Sequence, residues 1–433
     1  MMFSQRVGFF PPAATVSPFV GSEITTTTNI LYPFTAYSTS SMAYVGPDNA
    51  NRPIFAFLFI DPSTGALKGQ AIRINDNGTI FQGITNTLDA SAGGIHTVAL
   101  TSTFSGAGSY NSSVFNFNTT PPIFYSYIKA STSRLMVGRG TVSVTQAGLG
   151  VNQGQVPQDL LGFNSDGDFP VAAYLGNSPI GGHGILFGLR TGTGVATRRC
   201  MTNLVSNLTV QGPAQGGNGG PIDTAALGFA GDFTISSAPV YRSAFWNTGS
   251  GAQTTVAGVM SSRFISGSNT ANYLTQITTS PSVLDTSVYN QACNLNNSNK
   301  FLGVSYLSPA NSLNLTVVDV NWNTPPSFPT PTTGAFVSAG SADALPTVVS
   351  GTSTDSAFLV QSPVGASSLT YANITVSGTV PTVGSTQTLF GGLSNCQGPP
   401  ILATAKIGTK TYMAGIQSRS GTNTPYVFGV RFT

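Results

Sequence analysis

Two histidines, His96 and His183, are the whole imidazole supply of this 433-residue chain, so general acid–base chemistry would fall mostly on carboxylates. Those are thirteen Asp and a single Glu, Glu23, scattered so that no two pair in the linear sequence as an opposed glycosidase pair would need. His96, in Gly94-Ile95-His96-Thr97-Val98, opens a strand-like segment and reads as structural or surface. His183 stands among glycines (Gly181, Gly182, Gly184) with little bulk around it and reads as exposed. The chain has no Gly-x-Ser-x-Gly elbow, no His-Glu-x-x-His and no phosphate-binding Gly-Lys loop. Gly138-Arg139-Gly140 is too short to cradle a phosphate and is read as a bend or bulge in a strand.

The one metal-like spacing is Asn164-Ser165-Asp166-Gly167-Asp168. Asn164, Asp166 and Asp168 place oxygen ligands at alternate positions, as in the first half of a calcium loop. Position six is then Phe169 where such a loop needs Gly, and position twelve is Leu175 where it needs Glu, so this is a weak calcium candidate and a turn explains it. Asn75-Asp76-Asn77-Gly78 reads the same way, with Asn77-Gly78 a hairpin signal. Cys200, Cys293 and Cys396 lie about a hundred residues apart, which is neither a disulfide framework nor a zinc spacing; they read as isolated buried thiols. No catalytic residue and no cofactor site is assigned, and the chain is expected to have no enzymatic activity.

The elements that would position these groups are strands. Pro53 to Ile60 is an almost continuous apolar run closed by Asp61-Pro62, and Pro122 to Ile128 is aromatic and β-branched. Further strands are expected at 97–103, 135–144, 184–189, 204–210, 313–320, 369–376 and 426–432. Nowhere do helix formers recur at 3.6 spacing for three turns.

Only 7 % of the residues are charged, against roughly a quarter in an ordinary soluble domain. Hydrophobic residues are 40 % and aromatics 10 %, so wholesale disorder is excluded as well. The expected fold is all-β: two jelly-roll or β-sandwich-like domains with long Gly/Pro/Ser/Thr-rich loops and an extended N-terminal segment. The expected organisation is a lead-in or arm over 1–50, a first sandwich over 51–210, a Gly-rich linker or loop at 211–221, and a second sandwich over 222–433. A further subdivision falls near 323–331, where prolines cluster.

No basic tail is present to grip nucleic acid, Met1 to Pro12 shows no secretory apolar core, and no stretch reaches eighteen apolar residues. Together with the neutral surface this points to a self-assembling structural protein, a viral capsid or virion surface subunit located in the virion. Its partners would be copies of itself and other shell or surface proteins, with glycan or host-surface contact through its loops and no sequence-specific nucleic-acid binding. The alternative is an extracellular or cell-surface adhesin, pilus or surface-layer subunit that binds glycans. A lower alternative is an outer-membrane β-barrel, because Tyr426, Phe428, Val430 and Phe432 share one strand face.

Overall fold

Strand Pro53–Ile60 is buried along its whole length. Its side chains alternate between two different cores: Ile54, Ala56, Leu58 and Ile60 enter one cluster, and Phe55, Phe57 and Phe59 enter another. A strand covered on both faces has no polar positions to alternate with, which is why its sequence reads as one apolar run. The question is what covers each face.

The computed structural model describes residues 40–61, 64–76, 80–90, 98–102, 122–129, 134–144, 148–154, 157–164, 347–362, 367–392, 396–419 and 422–432. It also describes the strand segments between 170 and 337, residue 295, and two short strands at 19–20 and 24–25. They form seven small antiparallel sheets of four or five strands, each built mainly from strands consecutive in the chain. Blade 1 is Ser40–Pro47, Pro53–Ile60, Leu67–Ile74 and Ile80–Gln82, with Asn86–Asp89 added on Leu67–Ile74. Blade 2 begins with Val98–Ser102, blade 3 with Pro170–Asn177, blade 4 with Ala226–Phe229, blade 5 with Ser287–Asn294 and blade 6 with Thr347–Ser350. Blade 7 is Cys396–Ile407, Lys410–Arg419 and Thr422–Phe432.

The first strand of each blade touches the first strand of the next, and the circuit closes from Cys396–Ile407 back to Ser40–Pro47. These seven strands therefore surround a common centre, and the sheets radiate from it. Blade 7 is completed from the other end of the chain. Phe19–Val20 pairs with its last strand, Phe19 opposite Arg431 and Val20 opposite Val430, and Ile24–Thr25 pairs beside it. Seven radial antiparallel sheets of four or five strands, the last one built from both ends of the described chain, make a β-propeller arrangement.

The core lies between blades rather than inside any one of them. One buried cluster joins blades 1 and 2, a second blades 1 and 7, a third blades 6 and 7, and a fourth blades 5 and 6. In the third, the Phe358 and Phe432 rings stack at 4.4 Å and Tyr371 meets Phe432 edge-on at 5.6 Å.

This architecture corrects two expectations. The chain is not built of jelly-roll or β-sandwich units: the two faces of blade 1 are covered by blades 2 and 7, not by the second sheet of a sandwich. The lipid-facing reading of Tyr426, Phe428, Val430 and Phe432 also fails, because all four are buried against blade 6. Gly138-Arg139-Gly140 is likewise no bulge, since Arg134–Val144 runs in unbroken register with Pro122–Lys129 from Arg134 to Thr141. A glycine is needed there for another reason: a Cβ on Gly138 would lie 2.3 Å from the Tyr125 ring. Of the segment 211–221, Gln215–Gly216 forms the outermost strand of blade 3, while its other residues, like 323–331 and 205–210, lie outside the described residues.

Candidate functional site: a cleft between the first and last blades

Antiparallel meanders bring the turns between first and second strands, and those after third strands, to one face of the ring. On that face blades 1 and 7 enclose a cleft of about 650 Å³. Three local structures shape it.

The first is the turn after Ser40–Pro47. Asp48 folds it by accepting the Ala50 and Arg52 backbone N–H groups at 3.0 and 2.9 Å, as Asp does in tight turns. Its second carboxylate oxygen takes Arg52 Nε at 2.8 Å and lies 3.5 Å from Arg73 Nη1, so this fully buried carboxylate is paired. Asn51 closes the turn at φ 56°, a left-handed conformation that Asn tolerates, and stands exposed at the rim beside Ala50. The second is the two-residue turn Gly408–Thr409, closed by the Ile407–Lys410 pair; Gly408 supplies the required positive φ of 61°. Lys406, Ile407, Thr409 and Lys410 all line the cleft from this hairpin.

The third is the end of Leu67–Ile74, where Asp76 reaches across to blade 7. Asp76 Oδ1 accepts Lys410 Nζ at 2.9 Å and the Tyr412 hydroxyl at 2.8 Å. Arg431 donates to the Asp76 backbone oxygen at 2.7 Å, with its Nη1 3.9 Å from Oδ1. The Lys410 hydrogen bond first, and the Tyr412 one second, hold the Asp76 carboxyl below the usual carboxylate range. Burial, followed by the hydrogen bond to Asp76, pushes the Tyr412 phenol well up; burial does the same to Tyr44 beside it. The site thus holds a carboxylate favoured in its ionised form and two phenols favoured in their neutral form, beside the Lys406 and Lys410 side chains.

Chemically this is a recognition set of donors and acceptors. Asp76 is 58 % exposed in spite of its partners, so its second oxygen faces solvent as an acceptor. Pro47, Ala50 and Ile407 add apolar surface between the polar groups. Lys406 is held from behind, donating to the Thr352 carbonyl of blade 6 at 2.7 Å.

None of the sequence-derived candidates lies here. Asn164 ends strand Gln158–Asn164, while Asp166 and Asp168 lie outside the described residues. Among the described residues no three His, Cys, Asp or Glu come together as metal ligands. His96 and Trp322 lie outside the described residues; His183 opens a blade 3 strand opposite Leu204. Asp76 was legible only as a turn residue, because Lys410 stands 334 positions away. The scarcity of lysine, five in the chain with two of them at this hairpin, is the one signal that could have drawn attention to it.

No family model matches the chain, and no curated protein matches it in sequence. Solved structures of similar architecture include a fucose-specific lectin from Aleuria aurantia, 11 % identical over 91 % of each chain with a TM-score of 0.44. An α-L-arabinofuranosidase from Fusarium graminearum is 11 % identical over 96 % of this chain and 97 % of its own, at 0.41. A polysaccharide lyase is 8 % identical over the same shares, at 0.42. The virion-shell reading rested on sandwich units, on the lack of catalytic motifs in the sequence and on a charge-poor surface. The ring of blades removes the first. The expectations of a sandwich-built capsid subunit and of a virion location are corrected with it, and that of a protein without enzymatic activity is withdrawn.

Proposed function

We propose that this chain is a carbohydrate-binding β-propeller acting outside the cell, and that the cleft between blades 1 and 7 is its glycan site. The cleft itself carries the reading. A saccharide ring offers hydroxyls around its edge and C–H groups on its faces, and the cleft offers partners for both. Asp76, Asn51, Thr409 and Lys410 are spaced around the rim as hydroxyl partners, and Pro47, Ala50 and Ile407 lie between them as apolar contacts. Its volume of about 650 Å³ suits a di- or trisaccharide rather than a macromolecular surface. The neutral Ser/Thr/Asn-rich composition agrees with a protein that meets hydrated polysaccharide.

The test is binding to an immobilised panel of oligosaccharides, followed by titration of any that bind. Thr409 is exposed on its turn, so Thr409→Trp should fold normally while filling the cleft. At least one glycan is expected to bind, and the Trp variant should lose affinity by about tenfold or more. A panel with no binder, or binding that Thr409→Trp leaves intact, would overturn the assignment.

A further inference from the structure

The charge of the cleft narrows its ligand further, on the footing that it binds glycans. Lys406 and Lys410 flank the Gly408–Thr409 turn and both line the cleft, and Arg431 stands against Asp76 at its edge. Asp76 is the sole carboxylate among the described lining residues. The adjoining turn does not restore the balance, since Asp48 there is met by both Arg52 and Arg73. Among the described residues five cations thus face two carboxylates in this corner of the ring, in a chain with only 17 Lys and Arg against 14 Asp and Glu overall. The other titratable groups packed against it, Tyr44 and Tyr412, are held neutral by burial and add no negative charge.

Geometry leaves room for that charge to be used. Lys410 Nζ carries three N–H donors; Asp76 Oδ1 takes one, and the side chain is still 38 % exposed. An anion placed on the Lys410 side of the cleft meets this ammonium, with Lys406 on the same hairpin and Asp76 held by Lys410, Tyr412 and Arg431.

We propose that the ligand is an acidic saccharide, whose carboxylate or sulfate group pairs with Lys410 and Lys406. Both acid types share the anionic oxygens that an ammonium group recognises.

Calorimetric titration of the full chain with three oligosaccharides of equal length decides it: one neutral, one carrying uronate, one carrying sulfate. At low salt at least one acidic ligand should bind about tenfold tighter than the neutral one, the effect of one charge-assisted hydrogen bond. The preference should shrink as salt rises to screen it. Which acidic arm wins assigns the group. In the double variant Lys406→Met/Lys410→Met the preference should fall toward unity. Lys68→Met, on the opposite face and paired there with Asp61, should leave it unchanged. The wild-type preference and its salt dependence need no variant, so a misfolded double mutant does not rescue the idea. Equal or tighter binding of the neutral ligand overturns the acidic inference while the glycan site stands; no binding of any of the three at millimolar concentration counts against both.

Discussion

Asp76 does at the residue scale what few residues in this chain can do, because it is a charge at a seam. It ties the third strand of blade 1 to two strands of blade 7 through Lys410, Tyr412 and Arg431. Another ion pair between blades is of the same kind: Lys300 of blade 5 meets Asp355 of blade 6 at 2.9 Å. Because the folded chain holds the Asp76 carboxyl below its ordinary value of 3.8, its contribution is present above that pH. It is lost as the pH falls through the lowered value. Asp76→Asn should therefore flatten the low-pH side of the stability curve, and thermal melts at pH 7 and pH 3 will check it. The loss at pH 7 should stay below about 1 kcal/mol, since the carboxylate is largely exposed and screened. A variant as acid-sensitive as the parent would show that Asp76 is not a seam. The thiols give a second expectation at this scale. Cys396 is buried and Cys293 partly so, both carry thiols, and burial pushes the Cys293 thiol far up. Neither should react with a thiol reagent in the native protein, and both should once it is unfolded; peptide mapping of the labelled sites distinguishes them from Cys200.

At the scale of elements, the close fit of neighbouring strands and blades sets the cost of a substitution. Gly138 lies across from Tyr125 in blade 2, and Gly415 lies 2.2 Å from Phe428 when given a Cβ. These glycines let large rings lie flat across the next strand, a use that composition alone shows only as abundant Gly. Gly138→Ala should destabilise by about 1–3 kcal/mol through overpacking, measured by denaturant titration. An unchanged midpoint would mean that the Tyr125 ring moves aside freely. Between blades, Phe432→Ala removes one member of the Phe358–Tyr371–Phe432 cluster and should cost about 3–5 kcal/mol. A loss under 1 kcal/mol would argue that blades 6 and 7 are held together elsewhere.

For the whole molecule, the decisive contact is the one between its ends. Phe19–Val20 and Ile24–Thr25 cover the outer edge of Thr422–Phe432, so the ring is closed by hydrogen bonds between residues some four hundred positions apart. Removing residues 1–25 should lower the melting temperature and bare the backbone edge of blade 7, which would then be free to pair with another chain. Scattering or gel filtration of the truncated protein should show association that the full chain lacks. A truncated protein that remains monomeric with an unchanged melting temperature would show that closure rests on the blade 1–blade 7 core alone.

Some of the strands were readable from the residues, and for a local reason; others, such as Leu67–Ile74, Cys396–Ile407 and Lys410–Arg419, were not. Pro53–Ile60 matches its expected bounds, and 122–128, 135–144, 313–320 and 369–376 fall within a residue or so of the observed elements. β-Branched and aromatic runs between turn residues report a pleated surface that must be covered. They do not report what covers it. A strand apolar on both faces looks the same beneath the second sheet of a sandwich as it does between two propeller blades, so Pro53–Ile60 could not choose between them. The choice was made by contacts without local trace: the circuit of first strands, the pairing of residues 19–25 with 422–432, and the meeting of Asp76 with Lys410. Sequence by itself determined an all-β chain with little charge to spend; only the tertiary structure decided that the blades form a ring and that some of that charge gathers at one seam.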